Sequence, residues 1–159
     1  MMKAVYAGSF DPITLGHVSV IERAASMFDE VHIVVANNRD KKHLFNIDQR
    51  TEMVVLSLEL INKVKVIPFE GIVADYINQN QIDVVIRGIR NATDLEYELQ
   101  LEQYIRNTTK ADTIYLSPYT QNMQTSSSLV RMFVNSDKIE LAKAYMDDKA
   151  FGKMVLYSK

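Results

Sequence analysis

Gly16-His17 closes the stretch YAGSFDPITLGH, Tyr6 to His17, and an amphipathic segment begins at once. A helix start presents free N–H groups and partial positive charge. A glycine there lets a ligand come close to the backbone. A histidine behind it can donate a hydrogen bond to a phosphoryl oxygen, and the helix dipole holds its pKa down while favouring anions. Other stretches have the same character. NNRDKKHLF carries Arg39, Lys41 and Lys42; RGIRNATD carries Arg87 and Arg90; SPYTQNMQTSSSLVR runs into three serines, Ser126 to Ser128. Backbone donors, helix starts and guanidinium groups together suit a polyanionic ligand. There is no GxGxxG, no GxxxxGK[ST] and no HExxH, so the common dinucleotide, P-loop and zinc-protease motifs are absent. No metal-ligand spacing and no nucleophile–base pair stand out.

Five short β-branched runs precede or enclose these stretches: Lys3 to Ala7, Val31 to Ala36, Val64 to Phe69, Asp83 to Arg87 and Thr113 to Leu116. They lack clean alternation, as strands buried on both faces do. Helical patterns lie between them. Val20, Ile21, Ala24, Ala25 and Phe28 share one face; Ile47 to Ile61 follows Asn46 as N-cap; Ile72 to Asn80 and Asp94 to Asn107 follow. The alternation predicts an α/β fold with a parallel sheet and right-handed crossovers. Ligands in such folds bind beyond the carboxyl ends of the strands, where the loops after Ala7, Ala36, Phe69, Arg87 and Leu116 meet. In the segment from Asp94 to Asn107, Leu95, Leu99 and Ile105 form one apolar stripe, and Tyr97, Leu101 and Tyr104 another. One stripe can cover the sheet; the second must pack on another element or another subunit.

The 159 residues fit a single domain spanning 1–159, with 47% apolar and 24% charged residues. The net charge of −2 gives no bulk attraction to nucleic acid or to an anionic membrane. No cysteine is present, which excludes disulfides and thiolate chemistry and fits a reducing cytoplasm. No apolar run has the length of a signal peptide core or a membrane span. Of the remaining histidines, His32 lies inside a strand run and reads as structural, and His43 reads as a surface loop residue.

The stretch GSFDPITLGH resembles the T/HxGH signature of the nucleotidylyltransferase superfamily, with TLGH at Thr14 to His17. SSSLVR, Ser126 to Arg131, resembles that superfamily's second signature, a serine-rich helix start that holds ATP phosphates. IRGIRNATDLEYELQL, Ile86 to Leu101, is similar to the RG[LI]R…D[FL]EYE block of the bacterial phosphopantetheine adenylyltransferases. The resemblance covers residues from about 3 to 135 and extends to block spacing and length. It implies a Rossmann-like doubly wound sheet of five parallel strands, helices on both faces and C-terminal helices. It also implies adenylyl transfer from ATP to 4′-phosphopantetheine, giving dephospho-coenzyme A and pyrophosphate. It further implies magnesium, carried mainly by ATP with no protein metal site, and a homo-oligomer, usually a hexamer.

By the same resemblance His17, Lys41 and Arg90 are catalytic. Ser9, Phe10, His17, Gly88, Ile89, Arg90, Glu98, Asn122, Met123, Gln124, Thr125, Ser126, Ser127 and Ser128 face ATP. Ser9, Lys41 (rather than Lys42), Val73 and Arg87 face the acceptor. Plainer readings exist: Asp11-Pro12 as a turn, Ser126 to Ser128 as a helix cap, Lys41 and Lys42 as a solvated loop, and Arg87 and Arg90 as partners of Asp94 and Glu98. The chain departs from the family at Ala7, where proline is common, at Thr125, where isoleucine is usual, and at Met132, where an acidic residue is common. After Asn135, SDKIELAKAYMDD replaces a GGD…VP-like stretch. Two rivals stay open at this point: a related nucleotidylyltransferase with a nicotinamide mononucleotide or glycerol phosphate acceptor, and a nucleotide-binding sensor that does no chemistry.

Overall fold

The β-branched runs form five parallel strands: β1 (Lys3–Gly8), β2 (Glu30–Ala36), β3 (Val64–Phe69), β4 (Val84–Gly88) and β5 (Asp112–Leu116). The computed structural model describes all residues from Met1 to Lys159. The strand order is β3-β2-β1-β4-β5. The chain therefore builds outward on one side of β1, then crosses back to build the other side. The crevice of such a sheet opens where that direction reverses, at the carboxyl ends of β1 and β4. Gly8 ends β1 and Gly88 ends β4, so two short side-chain-free positions flank the crevice.

Helices α1 (Leu15–Met27), α2 (Ile47–Ser57), α3 (Val73–Asn80), α4 (Ala92–Thr108), α5 (Ser127–Asn135) and α6 (Asp148–Tyr157) cover both faces, with short 3₁₀ turns at Thr120–Asn122 and Ile139–Tyr145. The larger core joins Val20, Ile21 and Ala24 of α1, Met53 and Val54 of α2, Val130 of α5, and Ala150, Phe151 and Met154 of α6 to the sheet. The smaller core packs Tyr76 and Ile77 of α3 against Val5, Val34 and Val85 on the opposite face. This is the doubly wound, Rossmann-like arrangement expected, and the strand bounds agree to within one residue. No helix is long and apolar enough to cross a membrane.

Three details differ from the expectation. The helix beginning at Ile47 stops at Ser57 rather than Ile61, because tight turns take over: Leu58 N–H donates to Val55 O and Ile61 N–H to Leu58 O. Its start is as expected, with Asn46 Oδ1 accepting from Gln49 N–H at 2.9 Å and Gln49 Oε1 from Asn46 N–H at 3.1 Å. Helix α4 has no buried residue at all. Of its first stripe only Ile105 packs on the smaller core, while Leu99 is 46% exposed. His43 is only partly exposed, with a ring Nε2 that is shielded and unpaired. His32 is structural: Tyr76 Oη lies 2.6 Å from Nδ1 and Glu30 Oε1 2.5 Å from Nε2. Bonds from Lys65 and then His32 hold the Glu30 carboxyl down at about 2.

Candidate active site

Thr14 is the N-cap of α1, and its N–H donates to His17 Nδ1 at 3.0 Å, with Thr14 Oγ1 3.1 Å from the same nitrogen. A ring nitrogen that accepts from a backbone N–H carries no proton, so the imidazole hydrogen resides on Nε2. Burial, aided by the Arg90 charge, lowers the His17 pKa to about 4. The ring is thus a neutral donor at physiological pH, packed edge-on to Phe10 at 5.1 Å between centroids. Gly16 is required by a close approach: a Cβ there would lie 2.3 Å from Thr125 Oγ1. Thr125 is itself fixed, its Oγ1 donating to Asn122 O at 2.9 Å and its carbonyl accepting from Arg90 Nη1 at 3.0 Å. Gly16→Ala is therefore expected to separate α1 from the 122–128 segment. Calorimetric titration should show ATP affinity falling about tenfold or more, for a loss of ~1.4 kcal/mol, with the fold retained by circular dichroism.

Buried polar groups stitch the loops together. Arg50 of α2 is wholly buried. Its Nη1 donates to Ser9 O at 2.7 Å and Ala36 O at 3.0 Å, its Nε to Phe45 O at 3.0 Å and its Nη2 to Asn37 Oδ1 at 2.9 Å. The Asp11 carboxylate accepts from Leu44 N–H at 2.8 Å and Phe45 N–H at 3.0 Å. Asp11-Pro12 is thus a turn, as its plainer reading had it, but also a clamp between the loops after β1 and β2. From α5, Arg131 Nη1 donates to Asp11 O at 2.9 Å and Ser127 Oγ to Pro12 O at 2.7 Å. Ser126 Oγ caps α5 by accepting from Leu129 N–H at 3.1 Å.

Two cavities open on this edge. The first, of about 320 Å³, is polar. Phe10, His17, Gly88, Arg90, Glu98, Thr125, Ser126, Ser127 and Ser128 all line it. The second, of about 690 Å³, has a larger apolar share. Ser9, Lys41, Val73 and Arg87 line it, and its apolar wall includes Ile72 and Ile105 with the second stripe of α4: Tyr97, Leu101 and Tyr104. The cavities share Ala7, Gly8 and Arg87. The expected ATP and acceptor residues that line a cavity thus fall on two sides of one junction, except that Ser9, expected at both, lines only the apolar one. Four do not line either cavity: Ile89, Asn122, Met123 and Gln124. Asn122 instead donates from Nδ2 to Ser19 Oγ at 2.6 Å, tying the segment to α1.

Arg87 and Arg90 do pair with α4, as the plainer reading had it. Arg87 Nε bonds Glu98, and Arg90 Nε lies 3.1 Å from Asp94 Oδ2. Both still line the polar cavity, so pairing orients them there rather than removing them. Lys41, exposed, is in no ion pair. Several contributors carry no signal in a linear reading: Tyr6, Arg50 and the clamp function of Asp11. Thr14 had one, because a threonine three residues ahead of a polar side chain at a helix start is capping-box spacing. No group of three His, Asp or Glu side chains is placed to hold a metal ion, and the carboxylates of the polar cavity, Asp94 and Glu98, are engaged by arginines.

Comparison with known proteins adds to this geometry. Residues 5–133 match the family model described as cytidylyltransferase-like. A phosphopantetheine adenylyltransferase of Nautilia profundicola is 39% identical over 130 residues, 81% of this chain and 84% of that protein. One from Haemophilus influenzae is 42% identical over 132 residues, 82% of this chain and 85% of that protein. Among solved structures, a lipopolysaccharide core biosynthesis protein from Thermoplasma volcanium shares the fold, with a TM-score of 0.56, 20% identity, and coverage of 75% of this chain and 98% of that one.

Proposed function

The chain belongs to the cytidylyltransferase-like family and, within it, to the phosphopantetheine adenylyltransferases, and we propose that its two joined cavities carry out that transfer by direct in-line attack. It is a nucleotidyltransferase of coenzyme A synthesis: the adenylyl group of ATP passes to 4′-phosphopantetheine, giving dephospho-coenzyme A and pyrophosphate. The observation that supports the in-line route is the junction at Ala7, Gly8 and Arg87. A triphosphate in the polar cavity and a phosphate monoester on a long arm in the apolar one would meet there.

The acceptor phosphate is ionised at neutral pH and needs no general base. One of its oxygens bonds to the α-phosphorus of ATP as the bond from that phosphorus to the bridging α–β oxygen breaks, and pyrophosphate leaves with the electron pair. The protein's work is to bring two anions together and stabilise the charge on the pentavalent centre. Lys41 and Ser9 hold the acceptor phosphate, Arg90 and the start of α5 hold the ATP phosphates, and His17 Nε2–H donates to an α-phosphoryl oxygen. Magnesium would enter with the triphosphate and neutralise part of its charge. The exposed apolar side chains of α4 support a homo-oligomer, a hexamer by family resemblance, which the mass in solution tests. The absence of cysteine suits a reducing cytoplasm, where we place the reaction.

Pyrophosphate release should be measured with ATP, magnesium and, separately, 4′-phosphopantetheine, nicotinamide mononucleotide and glycerol 3-phosphate. Release with phosphopantetheine alone is expected, because the short polar acceptors leave the apolar wall of Val73, Tyr97 and Leu101 uncovered. Release with another acceptor keeps the mechanism and overturns the substrate; no release with any of them favours a sensor.

A further inference from the structure

Tyr6 stands near the carboxyl end of β1 and is only 8% exposed. Its ring meets Phe10 edge-on at 5.6 Å and 88° and lies 6.4 Å from the His17 ring. Its hydroxyl sits under Gly88, where a Cβ would come within 2.9 Å of the oxygen. Tyr6 and Gly88 both line the polar cavity. The oxygen is not shut off from the cavity, since the one shielded side-chain polar atom without a partner is His43 Nε2, and a tyrosine hydroxyl on a largely apolar wall ordinarily finds a partner. Elsewhere in this chain that holds: Tyr76 Oη pairs with His32 and Tyr115 Oη donates to Glu102 at 2.5 Å. Tyr6 Oη has no hydrogen-bond partner within the protein, while the neighbouring arginines are paired with Asp94 and Glu98. The group is an unengaged donor on the wall of the nucleotide side, beside the histidine that also lines it.

We propose that Tyr6 is a second catalytic donor for the reacting phosphoryl group, its hydroxyl donating to a non-bridging α-phosphoryl oxygen of ATP alongside His17 Nε2–H. This rests on the adenylyl-transfer reading above. Burial raises the Tyr6 pKa to about 12, with Arg87 opposing and Glu98 adding to the rise, so the hydroxyl keeps its hydrogen throughout the working pH range. No proton is transferred; the bond strengthens as charge accumulates on the pentavalent phosphorus. Two neutral donors can do this without adding fixed charge to that of the arginines.

The test is Tyr6→Phe, which deletes one oxygen and keeps the ring in its contacts with Phe10 and His17. Wild type and variant are compared in pyrophosphate release with ATP and 4′-phosphopantetheine. Binding of an α,β-methylene ATP analogue is measured by titration calorimetry. The expected result is a fall in kcat of roughly 10–100-fold, analogue affinity within about threefold, and an unchanged melting temperature. A kcat within about twofold of wild type overturns the proposal. So does a loss confined to KM with a matching loss of analogue affinity, which would make the hydroxyl a ground-state contact only. Failure of the wild type itself to release pyrophosphate with phosphopantetheine overturns the functional reading instead, so the two failures are distinguishable.

Discussion

Turnover of His17→Ala is expected to fall by roughly 10²–10³-fold while its affinity for ATP stays within a few-fold of wild type. The asymmetry follows from the geometry. On the function proposed, affinity for a triphosphate would be spread over Arg90, the N–H groups at the start of α5 and the rest of the polar cavity. His17 supplies a single neutral donor, already oriented by the Thr14 N–H to Nδ1 bond of 3.0 Å. A donor of that kind gains most when the phosphoryl oxygen gains charge, so its loss appears in kcat rather than in binding. The pH dependence provides a second readout of the same group. An ordinary histidine would change charge near 6.5, but this one is held down at about 4 by burial and by Arg90. The ring stays neutral as pH falls through 6.5, and turnover in wild type should show no His17 limb until the pH approaches 4. An acid limb centred near 6.5 that vanishes in His17→Ala would show that the ring is protonated in the working enzyme. Comparable loss of kcat and ATP affinity in the variant would show a binding role instead.

Arg50→Met is the most damaging substitution expected for stability. The guanidinium is wholly buried and satisfies the carbonyls of Ser9, Ala36 and Phe45 together with Asn37 Oδ1. Methionine has comparable reach and fills much of the space, so the main effect is four acceptors left without their donor. Each buried unsatisfied polar group costs ~1–3 kcal/mol. Water entry and local movement will relieve part of that, leaving a loss of about 4 kcal/mol, a large share of a typical domain stability of ~5–15 kcal/mol. Urea denaturation gives the difference directly from the midpoint at constant slope. A loss below about 1 kcal/mol would mean that the loops hold their places without the guanidinium. Arg50→Lys keeps the charge but not the planar fork, and should fall between the two. Because Ser9 O and Asn37 both depend on Arg50, any variant that folds should bind the acceptor more weakly than wild type.

The parts of this architecture that are local in sequence were legible there. Five β-branched runs became five parallel strands, and Gly16-His17 marked the opening turn of α1. Asn46 and Ser126 were legible as caps for the same reason: a cap and its target are three residues apart. What escaped was non-local. Arg50 reads as a solvent-facing helix arginine until β1 and β2 place Ser9 and Ala36 against it, 41 and 14 residues away. Asp11 reads as a turn residue, and only the fold brings Leu44 and Phe45 to it. Tyr6 reads as one more apolar position in a strand, because strand periodicity says nothing about where a hydroxyl ends. The helix from Ile47 was extended past Ser57 because apolar residues at 58 and 61 continue its pattern although the backbone has already turned.

The uneven anchoring of the loops around the two cavities bears on how such a protein can change over generations. Helix α5, at the nucleotide side, is tied to the loop after β1 by Ser127 and Arg131, and Asp11 and Arg50 tie that loop to the one after β2 on the acceptor side, so most alterations at these anchors must also preserve the fold. Lys41 lies in an exposed stretch, Asn38 to Lys42, whose local ties are Lys41 N–H to Asn38 O at 3.1 Å and Asp40 N–H to Asn38 Oδ1 at 2.9 Å. Substitutions in that stretch leave the interior untouched. Contacts made from that stretch can therefore change over generations without rebuilding the core, whereas the positions tied to Arg50 and Asp11 cannot.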